Sequence, residues 1–166
     1  MGRIFQAART PPGTVPEIRA RTITAAQTFT KGAVLIETAG PTGAVSEAAA
    51  DPTTVLGVAA EAAFTKPGNE FGHSSQLLQV TGTINEVSFY AANRSTVFSG
   101  RMISGATDPV TPALTDIGVN YGIAKTGDDW VVDQAETVTV SVCIVDIDID
   151  TKTVYFKFLE AVLANP

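Results

Sequence analysis

The pattern that most constrains the fold is an alternation of apolar and polar residues near the C-terminus. Apolar residues of one parity are followed by apolar residues of the other parity: Val138, Val140, Val142 and Ile144, then Val145, Ile147 and Ile149. Residues of one parity project to one face of a strand, so the change of parity predicts a bulge or a strand buried on both faces. Residues 150–152 then supply a turn, and 153–159 return with three aromatic residues. We therefore predict a long antiparallel hairpin.

The rest of the chain from Thr22 onward consists of short β-branched runs separated by turn residues. Further candidate strands are 33–37, 54–60, 77–83, 86–90, 96–103, 121–125 and 130–133. Gly57 lies inside one of these runs and predicts a bulge or a close backbone approach. Residues 126–129 read Thr-Gly-Asp-Asp and predict a hairpin turn. Strands of this number and spacing predict an all-β fold, a small barrel or sandwich, over residues 22–166.

The first 21 residues differ from this body in both backbone chemistry and charge. They contain Pro11, Pro12, Gly13 and Pro16, and proline cannot donate a backbone hydrogen bond. We therefore expect an extended arm over residues 1–21 that cannot join a ladder fully. The arm has four arginines and one glutamate, a net of +3, whereas the remainder has 7 basic and 16 acidic residues, a net of −9. A basic arm on an acidic body favours an acidic protein surface as its partner and disfavours nucleic acid.

Residues that support catalysis or metal binding are scarce. Cys143 is the only cysteine and His73 the only histidine, which excludes an intrachain disulfide and a zinc site of the usual composition. The chain has no nucleophile elbow, no P-loop and no glycine-rich dinucleotide motif. We expect a protein that is not an enzyme and that has no cofactor and no metal.

Two groups of carboxylates were weighed as sites. Asp146, Asp148 and Asp150 alternate along the C-terminal hairpin, and the preferred interpretation is that they face water while Ile147 and Ile149 face the core. A second group, Asp128, Asp129 and Asp133, surrounds Trp130. It is interpreted as a turn beside one buried aromatic side chain rather than as a sugar-binding platform.

Hydropathy bears on where the chain is made. The N-terminal residues contain no apolar run of the length of a signal peptide, and no segment approaches the roughly 20 apolar residues of a membrane span. We therefore expect synthesis in the cytoplasm and no membrane partner.

Residues 29–61, FTKGAVLIETAGPTGAVSEAAADPTTVLGVAAE, carry a family resemblance. The Phe-x-x-Gly start, the glycine-rich turn, the acidic and alanine-rich segment ending in Asp-Pro, and the Val-Leu-Gly-Val-Ala step resemble the capsid decoration (cement) proteins of tailed bacteriophages. The resemblance covers about a fifth of the chain. It implies a barrel-like fold called the β-tulip, preceded by an N-terminal arm that lies on the capsid and pairs with strands of the major capsid protein.

The same resemblance implies a virion protein of an infected host cell. It would bind the outside of the expanded capsid as homotrimers at threefold or quasi-threefold positions and hold adjacent capsomers together against DNA pressure. The capsid contacts implied for the arm are Arg3, Ile4, Phe5, Arg9, Ile18 and Arg19. Two alternatives remain open at this point: another phage structural protein, such as a head-fibre or tail component, and a carbohydrate-binding β-sandwich that uses Trp130, Tyr121 and Tyr155.

Overall fold

A computed structural model describes residues 5–9, 15–24, 27–38, 43–63, 66–67, 83–84, 86–105 and 109–164. The strands are β1 Gln6–Arg9, β2 Ile18–Thr22, β3 Val34–Glu37, β4 Val45–Glu47, β5 Gly57–Ala59, β6 Lys66–Pro67, β7 Thr83–Ile84, β8 Glu86–Ala91, β9 Val97–Ile103, β10 Asn120–Thr126, β11 Asp129–Asp133, β12 Val142–Asp148 and β13 Thr153–Phe158. Within these ranges the only helical elements are two single 3₁₀ turns, Leu114–Asp116 and Glu160–Val162. The prediction of an all-β fold is confirmed.

Five strands in the C-terminal half form a closed ring of pairings. The order is β9-β11-β10-β12-β13, and β13 pairs again with β9. Only the β9–β11 pair is parallel, with Val132 opposite Met102. A ring of this kind has no free sheet edge of its own, because each member has a neighbour on both sides. Strand β1 lies along the first part of β9, with Gln6 opposite Ser99.

The other main sheet is built mostly from the first half of the chain. Its order is β2-β8-β5-β3-β4, with antiparallel pairing throughout. Just after β2, Ile23 forms a parallel bridge with Val45 of β4, and the N–H of Thr24 donates to the carbonyl of Val45 at 2.9 Å. The sheet therefore curls until its first strand approaches its last.

One apolar core joins the ring and the sheet. Val34, Val58 and Phe89 from the sheet belong to the same buried cluster as Phe98 and Ile144 from the ring. The chain crosses between the two layers from β1 to β2 and again from β8 to β9. Both crossings keep the same partners, because β1 pairs with β9 and β2 pairs with β8. The two layers are thus continuous through paired strands as well as through packing.

The C-terminal hairpin is confirmed as β12 and β13, and its bulge lies where the parity changes. The register shifts between Ile144 and Asp146, and Val145 at the bulge is 38% exposed. Beyond it Ile147 lies opposite the buried Val154 and packs partly against the core. Asp146 and Asp148 therefore take the other face, as predicted.

Two residues of the predicted alternation were assigned wrongly. Val138 is 89% exposed and precedes β12, because Glu136 Oε1 accepts the N–H groups of Val138 and Thr139 at 2.8 and 2.7 Å and holds them in a loop. Ile149 is 48% exposed because it belongs to the turn of residues 149–152 rather than to the strand. Periodicity located the hairpin but not its ends.

Two local predictions from glycine agree with the structure. A Cβ atom at Gly57 would lie 2.2 Å from the carbonyl oxygen of Tyr90, so β5 approaches β8 at a distance that only glycine permits. Thr126 pairs with Asp129 across a two-residue turn in which Gly127 has φ of 63°. That value suits the first central position of a type II′ turn, which matches the twist of the two strands it connects.

Candidate interaction surface

The N-terminal segment is more integrated into the fold than the sequence suggests. Residues 6–9 form β1 on the ring, and residues 18–22 form β2 on the sheet. Strand β2 also crosses the predicted boundary between residues 21 and 22. The ladders accept these strands because Pro11, Pro12 and Pro16 lie between or outside them. The extended backbone expected of the segment is present, and most of it is paired.

Phe5 lies in the core instead of on a surface. It is fully buried, and its ring centroid lies 4.8 Å from that of Phe156. A Cβ at Gly100 would come within 2.5 Å of the Phe5 ring, so the glycine makes room for it. In this conformation Phe5 is not available to a partner. The side chain of Arg9, and the whole of Arg3 and Ile4, lie outside the described residues.

Ile18 and Arg19 are on the surface, as a contact residue must be. Ile18 is 60% exposed, and the preceding Val15 is 85% exposed. Arg19 Nε donates to Glu17 Oε1 at 2.8 Å, with both side chains more than 40% exposed. An exposed ion pair of this kind contributes little stability, so Arg19 can exchange its partner at small cost.

The backbone of β2 adds hydrogen-bonding groups to this surface. The N–H of Ala91 donates to the carbonyl of Glu17 at 2.9 Å, and the ladder continues with Ile18 opposite Tyr90. In an antiparallel ladder the bonded pairs alternate, so the N–H and C=O groups of Ile18 and Ala20 point away from β8. An exposed edge of this type is a template on which another chain can add a strand.

Arg21 limits how far that edge extends. Its Nη1 donates to Glu37 Oε1 at 2.9 Å and to the carbonyl of Gly43 at 3.3 Å. These bonds connect the end of β2 to β3 and to the residue before β4. Together with the Ile23–Val45 bridge they close this end of the curled sheet. The exposed surface is therefore confined to the residues before Arg21.

The carbohydrate-binding alternative relied on aromatic side chains that the fold buries. Trp130 is 1% exposed, and its Nε1 donates to Glu47 Oε1 at 2.9 Å. Tyr121 is 6% exposed, and its hydroxyl donates to Asp116 Oδ1 at 2.8 Å. Sugar platforms need an exposed ring face, so these two residues cannot form one here. The interpretation of Trp130 as a buried aromatic beside a turn is confirmed.

The buried carboxylates have structural partners. Asp116 also accepts from Gln134 Nε2 at 2.9 Å and from the N–H of Ala113 at 2.7 Å. Burial opposes its charge, but these three bonds hold the pKa of Asp116 below its ordinary value. Burial and the neighbouring Asp116 raise the pKa of Tyr121 to about 12. Such a satisfied network fixes the loop before β10 and leaves no lone pair pointed at a ligand.

A polar contact also connects the two layers. Glu47 on β4 accepts from Lys125 Nζ at 2.8 Å through Oε2 while Oε1 holds Trp130. Nearby, Asp51 has φ of 51°, and its Oδ1 is buried with no hydrogen-bond partner. Burial and the charge of Glu136 raise the pKa of Asp51.

Other predicted sites are resolved only in part. Cys143 is half-buried on the outer face of β12, opposite Lys157, whereas burial had been expected. His73 lies outside the described residues. In the part of the chain that the structure describes, no cluster of three or more His, Cys, Asp or Glu side chains could hold a metal ion. None of the described helical turns has the length and apolar character needed to cross a membrane.

The chain was compared with protein-family models, with curated proteins and with solved structures, and none of the three comparisons finds a match.

Proposed function

We propose that this chain is a structural virion protein that binds the outer surface of an expanded phage capsid and holds adjacent capsomers together. The observation that carries the proposal is the surface formed by Val15, Ile18 and Arg19 at the exposed edge of β2. Apolar side chains flanked by arginine, next to unpaired backbone groups, suit contact with another protein.

The charge distribution supports the same conclusion. The first 21 residues carry a net charge of +3 and the remainder −9. The basic segment can approach an acidic protein surface while the body, being acidic, is repelled from nucleic acid and from other acidic surfaces. A decoration protein needs this polarity, because one side must bind the shell and the other must face solvent. Many such contacts on one lattice add by avidity, so each can be weak.

The major capsid protein is the proposed partner, and the proposed arrangement is a homotrimer at threefold or quasi-threefold positions. Of the six contact residues implied by the resemblance, Phe5 serves the core and Ile18 and Arg19 are exposed. Arg3, Ile4 and Arg9 remain proposed contacts. A head-fibre or tail role is the second candidate. It shares the β-rich fold but predicts a few copies per virion.

Co-sedimentation with expanded capsids that lack the protein tests the proposal. We expect saturable binding near one copy per capsid subunit. The double variant Arg3→Glu with Arg9→Glu should lose most of this binding, since it reverses two positive charges of the N-terminal segment. The variant Lys31→Glu with Arg94→Glu makes the same change in net charge elsewhere on the surface and should still bind.

Deleting the first 21 residues would be a poor test, because it removes β1, β2 and the buried Phe5. Point variants keep those strands. Absence of binding by the unaltered protein would refute the capsid role. Saturation at only a few copies per particle would instead favour the fibre or tail candidate.

A further inference from the structure

A second exposed surface lies on the C-terminal half, far along the chain from β2. Ile117 is 42% exposed, and the next residue, Gly118, donates its N–H to the carbonyl of Ile144 at 2.8 Å. Ile117 and the bulged Val145 are therefore neighbours across this bond. Ile149, 48% exposed, follows in the turn of the same hairpin. We call Ile117, Val145, Ile149 and Asp150 the hairpin surface, and Val15, Ile18 and Arg19 the N-terminal surface.

The bulge explains why apolar side chains are exposed at this place. An extra residue in β12 turns Val145 away from the core while Ile144 and Ile147 stay directed toward it. Leu114, 71% exposed, lies three residues before Ile117 across a 3₁₀ turn, a spacing that stacks side chains on one side. An apolar strip that continues across two segments is typical of a contact surface.

The two surfaces have opposite charge. Residues 145–152 contain Asp146, Asp148 and Asp150 with one lysine, a net of −2. The N-terminal surface belongs to the segment with a net of +3. Each surface combines exposed aliphatic side chains with charge of one sign, so each is a suitable partner for the other. Two like surfaces would instead bring charges of the same sign together.

We propose that copies of this chain associate head to tail, with the N-terminal surface of one copy on the hairpin surface of the next. A contact between two different surfaces is heterologous, and its repetition closes a ring when the rotation between copies allows it. Three copies would give the trimer of the proposed function, which this inference extends by naming the surfaces that hold the trimer together. In such a trimer Ile18 and Arg19 contact the neighbouring copy, and capsid contact falls to residues nearer the N-terminus.

Sedimentation of the free protein, with no capsid present, tests the association. We expect a particle of three times 17.3 kDa at low ionic strength, dissociating as salt is raised because exposed charges are screened. Ile18→Asp and Val145→Asp should each weaken association at least about tenfold, since each places a charge in the apolar centre of the contact. Val138→Asp is the matched control: Val138 is 89% exposed and outside both surfaces, so association should not change.

A charge exchange tests the pairing of the two surfaces. Arg19→Glu and Asp150→Arg should each weaken association, by about three- to tenfold, and the double variant should recover most of the loss. A protein that stays at 17.3 kDa up to about millimolar concentration would refute the inference. So would a trimer that is unchanged by Ile18→Asp and Val145→Asp, or a double variant as weak as the sum of the singles.

The capsid assay separates the two proposals. Failure of self-association with normal capsid binding would leave the proposed function standing. Self-association without capsid binding would leave the head-to-tail contact standing and remove the capsid role.

Discussion

The ring and the curled sheet solve the same problem, the end of a β-sheet, in different ways. The ring closes by backbone pairing, with β9 bonded to both β11 and β13. The sheet closes incompletely, by one bridge between Ile23 and Val45 and by the side chain of Arg21 on Glu37. Backbone closure consumes all edge groups, whereas closure by a side chain leaves part of β2 exposed. The difference teaches that the surface available to a partner is where closure is incomplete.

The interiors differ in the same sense. The ring side carries an aromatic cluster in which Phe156 contacts Phe5, Phe98 and Phe158, with centroid distances of 4.8, 6.1 and 5.7 Å. The sheet side depends on smaller residues such as Val34 and Val58, and on the close approach at Gly57. Large side chains should therefore dominate stability in the ring, and backbone fit should dominate in the sheet.

The largest effect is expected from Phe156→Ala in the ring. Removing a fully buried aromatic ring with three aromatic neighbours should lower the free energy of unfolding by about 3–5 kcal/mol. Urea denaturation followed by far-ultraviolet circular dichroism measures the loss. The matched change in the sheet is Phe89→Ala, also fully buried but without those ring contacts, and it should cost less. A larger loss for Phe89→Ala would reverse the proposed ranking.

Gly57→Ala should be the most damaging small change in the sheet. Its methyl group would lie 2.2 Å from a backbone oxygen of β8, so the strands must separate, at a cost of about 1–3 kcal/mol. Gly100→Ala in the ring meets the Phe5 side chain instead, which can move together with β1. We therefore expect a smaller loss in denaturation midpoint for Gly100→Ala, and equal losses would contradict this explanation.

Glu47→Ala examines the contact between the two layers. It leaves the indole N–H of Trp130 buried without an acceptor and should cost about 1–3 kcal/mol. Trp130 is the only tryptophan, so its emission reports on the same position. Glu47→Gln retains an acceptor for the indole and should lose less. If both variants have wild-type stability, Glu47 does not connect the layers in solution.

The smallest effect is expected from Asp51→Asn and should depend on pH. Because burial raises the folded-state pKa of Asp51, its charge opposes folding once the pH exceeds that value. Asparagine removes the charge and tolerates the positive φ of this position. The variant should therefore have a slightly higher urea midpoint than the wild type at pH 7, with the difference shrinking as the pH falls and the wild-type carboxyl becomes protonated. A variant less stable at pH 7 than at pH 4, relative to the wild type, would contradict the sign.

The accuracy of the sequence predictions differed between regions for a physical reason. β12 and β13 were predicted because alternation and a parity change are encoded locally in consecutive residues. β1 and β2 were missed because their signal is weak: each is short, polar and next to proline. Their strand conformation depends on β9 and β8, which lie about 70 to 90 residues further along the chain. Local pattern does not record such pairing.

The candidate surface was predicted in part. Ile18 and Arg19 were named from composition and resemblance, and both are exposed. Phe5 was named on the same basis and is buried, because a large apolar residue near a chain end has the same sequence signature whether it anchors a partner or fills a core. The exposure of Val145 and Ile149 was missed, since alternation alone assigns apolar residues to the core.

The sequence by itself determined the fold class, the C-terminal hairpin with its bulge, the turn at Gly127 and the opposite charge of the two ends of the chain. These follow from covalent geometry, side-chain parity and composition, which act over a few residues or over the whole chain without regard to contacts. Only the tertiary structure decided which strands close the ring, that Phe5 and Trp130 are buried, and which apolar residues remain exposed. Those outcomes depend on pairing between distant segments, where burial is gained only once both partners are in place.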